Sequence, residues 1–460
     1  MLRDKIHEFF LGKKNRNLSY RRRIARWYIT TILIGTILLF LPITHKNGSF
    51  IQFIDAFFIS TSAFSITGLT TLNISETFNG LGHVIILILI QIGAVGLMSL
   101  KALIFVLVNR KITTTDRLMI HTEHKQTNIS GMVKLVIYAV LIMFSVQVLF
   151  TIITTFHMMI NYDYGFLQAL WFSYFHMTAA LTNAGFDLTG NSLFSFDEDY
   201  LLQVYFMIVI IIGGLGFPVL IDIKRFVLAK KNKERFRFSL FSKISLVTYF
   251  AVLFVGLGFI LMSDYDYLFN DVGGVKGFFV ALFQVVSSRS SGLATVDMHN
   301  FNDASQFMIT ILMFIGAAPA STGGGIRTTT FAVVILYLIN FASNRKSVEV
   351  FHRRIPDKTI FYSFVNVVVA MALVSLASLV ILILNQNLDF LDITFEVNSA
   401  FGTTGLSLGI TSSLDVIGKI IIAFIMIIGQ MGIANTLLIV SKNKEDDDLI
   451  KYPEENIAIG

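Results

Sequence analysis

The chain contains no cysteine, which excludes disulfides and thiolate chemistry. Charge is scarce as well. Only 14% of its 460 residues are Asp, Glu, Lys or Arg, against about 25% in an average soluble domain. The nine histidines show no His-Glu-x-x-His spacing, and no glycine-rich nucleotide-binding turn opens a strand-helix unit. No hydrophobic stretch carries regularly spaced arginines, so voltage sensing is not expected. What remains is a composition that is 54% hydrophobic, and a bilayer is the solvent that suits it.

Apolar runs able to cross a hydrocarbon core about 30 Å thick recur at 27–41, 82–108, 134–160, 201–222, 243–262, 306–341, 360–385 and 416–440. The first is short by strict count, but Trp27 and Tyr28 beside an arginine cluster anchor it at the interface. None has the short apolar core and small-residue cleavage site of a removable signal peptide, so all eight are expected to be mature spans.

The formal charge of +6 is not a nucleic-acid signal, because the basic residues fall in short loops. They crowd residues 1–26, then follow every second span: Arg110, Lys111, Arg117, Lys125 and Lys134; residues 224–243; and Arg345, Lys346, Arg353, Arg354 and Lys358. The loops of opposite parity carry mostly acids, with few lysines such as Lys46 and Lys276. By the positive-inside rule both termini are cytoplasmic and the chain is a multi-pass protein of the cytoplasmic membrane, in contact with lipid.

Four short stretches repeat: Ser65-Ile66-Thr67-Gly68-Leu69, Thr182-Asn183-Ala184-Gly185-Phe186, Arg289-Ser290-Ser291-Gly292-Leu293 and Gly402-Thr403-Thr404-Gly405-Leu406. Their last glycines stand 117, 107 and 113 residues apart (185−68, 292−185 and 405−292). A near-constant period of that kind marks an internal fourfold repeat. Before each glycine lies an apolar segment too short to span: 51–64, 165–180, 277–287 and 390–400. Each suits a re-entrant half-helix that enters and leaves on one side. Two full spans per copy then keep all four copies parallel.

The expected fold is therefore an all-α membrane protein with four tandem span, re-entrant helix, span repeats around one pseudo-fourfold pore. Its segments are a basic cytoplasmic N-terminus (1–26), repeats at 27–110, 134–230, 243–343 and 358–441, and a cytoplasmic tail (442–460). A second glycine feature lies 25, 28, 24 and 24 residues further on, at Gly93, Gly213, Gly316 and Gly429 (93−68, 213−185, 316−292, 429−405), and is read as close helix packing. The third repeat departs from the rest, because 317–330 interrupts its second span with Pro319, Gly323, Gly324, Gly325 and Arg327. Non-helical backbone at membrane depth survives only packed in protein or lining water, which places this loop beneath the pore.

A cation leaving water needs replacement oxygens, and backbone carbonyls on an extended strand supply them, glycine permitting the required dihedrals. One strand coordinates from one side; four complete the shell. The candidate ion-binding residues are Ile66, Thr67, Gly68, Asn183, Ala184, Gly185, Ser290, Ser291, Gly292, Thr403, Thr404 and Gly405, whose carbonyls are expected to hold a cation. One glycine per strand instead of the two in a TVGYG filter implies a shorter or less selective site. Glu76, Asp187, Asp197, Glu198, Asp199, Asp297 and Asp303 read either as an acidic mouth that concentrates cations or as ordinary loop acids. Arg289 is expected to turn away from the ion and bond carbonyls or an acid behind the filter. The candidate gate is the loop, with Ser321, Thr322, Gly323, Gly324, Gly325 and Arg327.

These stretches, together with Ser321 to Thr330 and the closing Tyr452-Pro453-Glu454, resemble the Ktr/Trk/HKT superfamily of potassium transporters, and within it the membrane subunit of bacterial Ktr systems. The resemblance covers essentially the whole chain. It implies four pseudo-symmetric units round one potassium pathway, a homodimer, and a gating loop at 317–330. It also implies a cytoplasmic ring of regulatory subunits that bind ATP or ADP, and a dependence on sodium. Nucleotide would sit on that partner, with no tightly bound cofactor on this chain. Two positions depart from the pattern: Gln430 stands where the family has an arginine that forms part of the barrier below the filter, and Leu293 where an aromatic is common.

Two other readings stay open at this point. One is a sodium-selective or weakly selective cation pathway of the same architecture. The other is an intramembrane enzyme, for which His176 in the second re-entrant segment is the residue to weigh; packing or capping accounts for it better than catalysis. A purely structural scaffold would not require four matched glycine turns.

Overall fold

The structure is a computed structural model that describes residues 20–46, 50–96, 132–345 and 347–440. The expectations placed on residues 1–19, on Arg110, Lys111, Arg117 and Lys125, on Lys346 and on the tail 442–460 lie outside the described residues. Among the described residues the chain is almost wholly helical, and its one sheet is a two-residue hairpin, Glu349–Val350 with Arg353–Arg354.

Four long apolar helices open the four segments read as repeats from the sequence: α1 (Tyr20–Phe40), α4 (Met132–Asn161), α8 (Leu240–Ser263) and α12 (Asp357–Leu384). At 1.5 Å per residue they reach about 30–45 Å, enough to cross a bilayer. Less than half of each apolar window is buried in protein. Side chains such as Ile37, Val148, Phe254 and Val368 are exposed, which is stable only where the surroundings are as apolar as they are.

Each long helix is followed by a short one: α2 (Phe53–Phe64), α5 (Phe166–Thr182), α9 (Gly274–Ser288) and α13 (Phe390–Gly402). These match the four re-entrant segments read from the sequence to within three residues. They are the buried elements, with Phe58, Phe175, Phe283 and Phe395 each fully covered.

The second spans hold a correction. The sequence reading expects one interruption, in the third repeat. Instead α3 (Gly80–Val95), α6 (Tyr200–Gly214), α10 (Asp303–Ile315) and α14 (Val416–Met431) all stop at or just before a glycine: Gly96, Gly216, Gly316 and Gly432. All four have φ between +56° and +83°, the left-handed region where a Cβ is strained. After Gly216 the chain resumes as α7 (Phe217–Lys231), bent by 105° from α6. After the third-repeat loop it resumes as α11 (Thr328–Ala342), and after Gly432 as α15 (Ile433–Val440). Hydropathy does not register such a break, because the residues on either side remain apolar.

Candidate functional site

Three of the four short helices end alike. In α2 the chain turns through Ile66 at φ 56°, and Thr67 N donates to Ser62 O at 2.9 Å. In α5 it turns through Asn183 at φ 59°, with Ala184 N on Ala179 O at 2.7 Å. In α13 it turns through Thr403 at φ 48°, with Thr404 N on Ser399 O at 2.8 Å. This left-handed closure satisfies carbonyls that a helix end leaves open. The third repeat does it differently. Ser291 N and Gly292 N both reach Ser287 O, at 2.8 and 3.4 Å, and none of residues 289–291 has positive φ.

From these turns the four glycines converge. A Cβ on Gly68 would fall 2.5 Å from the Ala184 carbonyl oxygen and 2.8 Å from Gly185 Cα. On Gly185 it would meet Ser291 O at 2.7 Å; on Gly292, Thr404 O at 2.2 Å; on Gly405, Thr67 O at 2.2 Å and Gly68 Cα at 3.1 Å. The contacts run from the first strand to the second, third and fourth and back to the first, a closed cycle. Their φ values of 94°, 69°, 74° and 96° also require glycine. The non-glycine strand residues Ile66, Thr67, Asn183, Ala184, Ser290, Ser291, Thr403 and Thr404 are at most 1% exposed. Because all four short helices terminate here, the negative ends of four helix dipoles meet at the cycle.

Side chains that the sequence reading passed over hold the strands. Gly68 N donates to Ser62 Oγ and Gly405 N to Ser399 Oγ, each at 3.0 Å. The signal for both was present in the shared Ser-Ala-Phe at 62–64 and 399–401. The second glycine feature marks close helix packing, as its spacing predicts, at three of its four positions. Gly93, Gly213 and Gly429 lie against the closing turns of the short helices, where a Cβ would fall 2.0 Å from Phe64 O, 2.1 Å from Leu181 O and 2.1 Å from Phe401 O. Gly316 belongs with the break glycines Gly96, Gly216 and Gly432 instead, as its φ of 56° shows.

The loop between α10 and α11 lies against three of the four strands' supports. Ala318 N donates to Gly214 O at 3.1 Å, Phe217 N to Ala320 O at 2.8 Å, and Gly325 N to Phe401 O at 3.1 Å. Thr322 Oγ1 lies 3.0 Å from the Asn183 amide and 3.2 Å from Gly213 O. With its oxygen turned to the loop, that amide also accepts from Gly214 N and Ser290 Oγ at 3.2 Å. A Cβ on Gly323 would come 2.7 Å from Ser290 Cβ, and one on Gly324 2.6 Å from Thr403 Oγ1. Arg327 bonds back to Gly323 O, while Ser321 caps its own turn on Ala318 O at 2.6 Å. Gln430 follows Gly429, and its Oε1 is buried without a hydrogen bond among the described residues.

Arg289 behaves as the sequence reading expects. It is 1% exposed, its Nη2 donates to Gly316 O at 2.5 Å, and its guanidinium lies 5.0 Å from the Tyr249 ring centre. It thus joins the third strand to the glycine at which the loop begins. The loop acids are mostly structural. Asp187 Oδ2 accepts from Gly190 N and Ser192 N, Asp199 caps α6 and meets His157 at 2.5 Å, Asp197 and Glu198 pair with Lys276, and Asp297 caps His299 N. His176 is packed against Phe172 and bonded to backbone, which agrees with the packing reading. Glu396, 1% exposed and absent from the sequence reading, accepts from Ser407 and Thr411.

Comparison with known proteins gives a consistent picture. Residues 12–452 match the family model TrkH, described as cation transport protein. The chain is 37% identical to Ktr system potassium uptake protein D of Bacillus subtilis, over 98% of this chain and 99% of that one. It is 34% identical to potassium/sodium uptake protein NtpJ of Enterococcus hirae, over 97% and 98%, and 31% identical to Ktr system potassium uptake protein B of B. subtilis, over 95% and 96%. Its fold is similar to the crystal structure of the potassium transporter TrkH from Vibrio parahaemolyticus, with a TM-score of 0.71 at 16% identity, covering 93% of this chain and 86% of the other.

Proposed function

Because the chain belongs to the TrkH family of cation transport proteins, and is a transporter and not an enzyme, we propose that it carries potassium into the cell through the cycle of glycine turns. The observation that carries this reading is the cycle itself: four strands whose pre-glycine carbonyls lie against the neighbouring glycines. A bare cation there would exchange water for the oxygens of Thr67, Ala184, Ser291 and Thr404, at the negative ends of four helices. Relatives named as potassium uptake proteins support potassium as the ion.

In this reading the loop 317–330 obstructs the pathway below the strands and moves to open it, with Ser321, Thr322, Gly323, Gly324, Gly325, Arg327 and Gln430 as the gate. Its peptide groups already have partners on α6, α10 and α13, as irregular backbone inside a membrane requires. The relatives' designation as parts of a Ktr system supports work with a partner, which we take to be a cytoplasmic ring that binds ATP or ADP, on a homodimer of this chain with cytoplasmic termini. A second reading, in which sodium also passes or is required, is favoured by the relative named for potassium and sodium. Uptake by potassium-transport-deficient cells, with and without external sodium, tests both. Uptake of potassium above the empty-vector level supports the first, and its absence in the presence of sodium and a cognate ring subunit contradicts it.

A further inference from the structure

Counting nine residues back from each strand glycine gives Ile59, His176, Phe283 and Glu396, one equivalent position per short helix. All four are at most 1% exposed, so they occupy the same kind of place behind the strands. Two are apolar and two are not. The cycle of glycine contacts runs in chain order, which puts the second and fourth strands opposite each other and the polar residues behind those two.

Both polar residues bond the backbone or hydroxyls just beyond their own strand's glycine. Ser407 Oγ donates to Glu396 Oε2 at 2.8 Å, and Thr411 Oγ1 donates to Oε1. Ser407 in turn accepts from Gly409 N at 2.9 Å. In the second repeat Leu188 N donates to His176 Nε2 at 3.2 Å. Since that nitrogen is an acceptor, the proton sits on Nδ1 and is given to Phe172 O at 2.8 Å, so the ring is a two-ended tie between its helix and the outer strand. Burying an acid without an ion-pair partner is costly and is tolerated only when its oxygens are hydrogen-bonded. Replacing it by an apolar side chain, as in the first and third repeats, would spare that cost. A positional requirement explains its presence better than packing does.

We propose that Glu396 and His176 are positioning residues that hold the outer ends of the fourth and second strands, and thereby set how strongly the pathway prefers potassium over sodium. The inference rests on the transport reading above. Tethering limits how far facing carbonyls can close around a smaller ion, and discrimination between the two cations depends on that limit.

The test is the ratio of potassium to sodium uptake by vesicles holding the purified full-length chain. Glu396→Leu, which removes both hydrogen bonds, is expected to lower the ratio about tenfold, and His176→Leu about threefold, on the scale of one or two lost buried hydrogen bonds. Glu396→Gln, which can still meet both hydroxyls, should restore the ratio, and Phe283→Leu at the apolar equivalent should leave it unchanged. If Glu396→Leu does not reach the membrane, the double variant Ser407→Ala with Thr411→Val, which keeps the acid and removes its donors, decides in the same way. Selective flux with a ratio indifferent to these changes overturns this inference alone. Absence of flux through the unsubstituted chain overturns the transport reading and this one with it.

Discussion

Lys419 of α14 and Asp55 of α2 are separated by 364 residues and form an ion pair at 2.9 Å, with side chains only 12% and 8% exposed. One belongs to the last repeat and the other to the first, so the pair ties together the two ends of a tandem array. Breaking it by Asp55→Ala or Lys419→Met leaves a mostly buried charge without its counterpart. A loss of about 2 kcal/mol is expected, between the values for exposed and fully buried pairs. Thermal unfolding in detergent of both single variants and the double variant checks this. The double should lose less than the sum of the singles, and additive losses would mean that the pair contributes nothing.

Arg289 links the third strand to Gly316 at the start of the loop. Arg289→Met keeps much of the volume over Tyr249 but gives no donor to the Gly316 carbonyl. Flux is expected to rise about tenfold or more, as when a seated state is weakened by ~1.4 kcal/mol, with folding retained. Arg289→Lys should fall between, since an ammonium has a single centre and cannot lie flat on the ring as a guanidinium does. Unchanged flux in Arg289→Met vesicles would show that the contact is packing alone.

Replacing Gly323 and Gly324 by alanine puts Cβ atoms within 2.7 Å of Ser290 and Thr403 heavy atoms. Overpacking of this degree costs about 1–3 kcal/mol, and the loop can relieve it by moving away from the strands. Higher basal potassium flux, measured without nucleotide or regulatory subunit, is the expected outcome. Flux equal to that of the parent chain would remove the loop from the gate.

Gly93, Gly213 and Gly429 give a stability test that is independent of transport. An alanine at any of them sets a methyl about 2 Å from a backbone carbonyl oxygen, which neither helix can accommodate without separating. Each substitution is expected to cost about 2–3 kcal/mol, read as a lower melting temperature, whereas Gly258→Ala, which meets nothing within 4 Å, should be neutral or slightly stabilising.

The four long apolar helices, the four short helices and the glycine that closes each turn were legible because each has a strong local cause: a long apolar run, a short one, and a backbone position only glycine fills. The helix ends at Gly96, Gly216 and Gly432 were not, because the flanking residues Val95, Phe217 and Ile433 are as apolar as the spans themselves; at Gly216 the cause is close approach by another element. At Gly216 that element is the third-repeat loop, whose Pro319 carbonyl would lie 2.6 Å from a Cβ. Glu396 was passed over for a related reason. A lone acid inside an apolar helix announces a burial problem, but its solution, Ser407 and Thr411, becomes visible only once the strand has folded back over the helix.

The cycle of Gly68, Gly185, Gly292 and Gly405 carries the transport reading, and potassium flux into vesicles tests it directly. Alanine at any one of the four, with φ near +70° to +96° and a neighbouring carbonyl at 2.2–2.7 Å, should abolish flux or collapse the preference for potassium, while the chain still enters the membrane. Four alanine variants that each carry potassium at the parent rate and selectivity would contradict it.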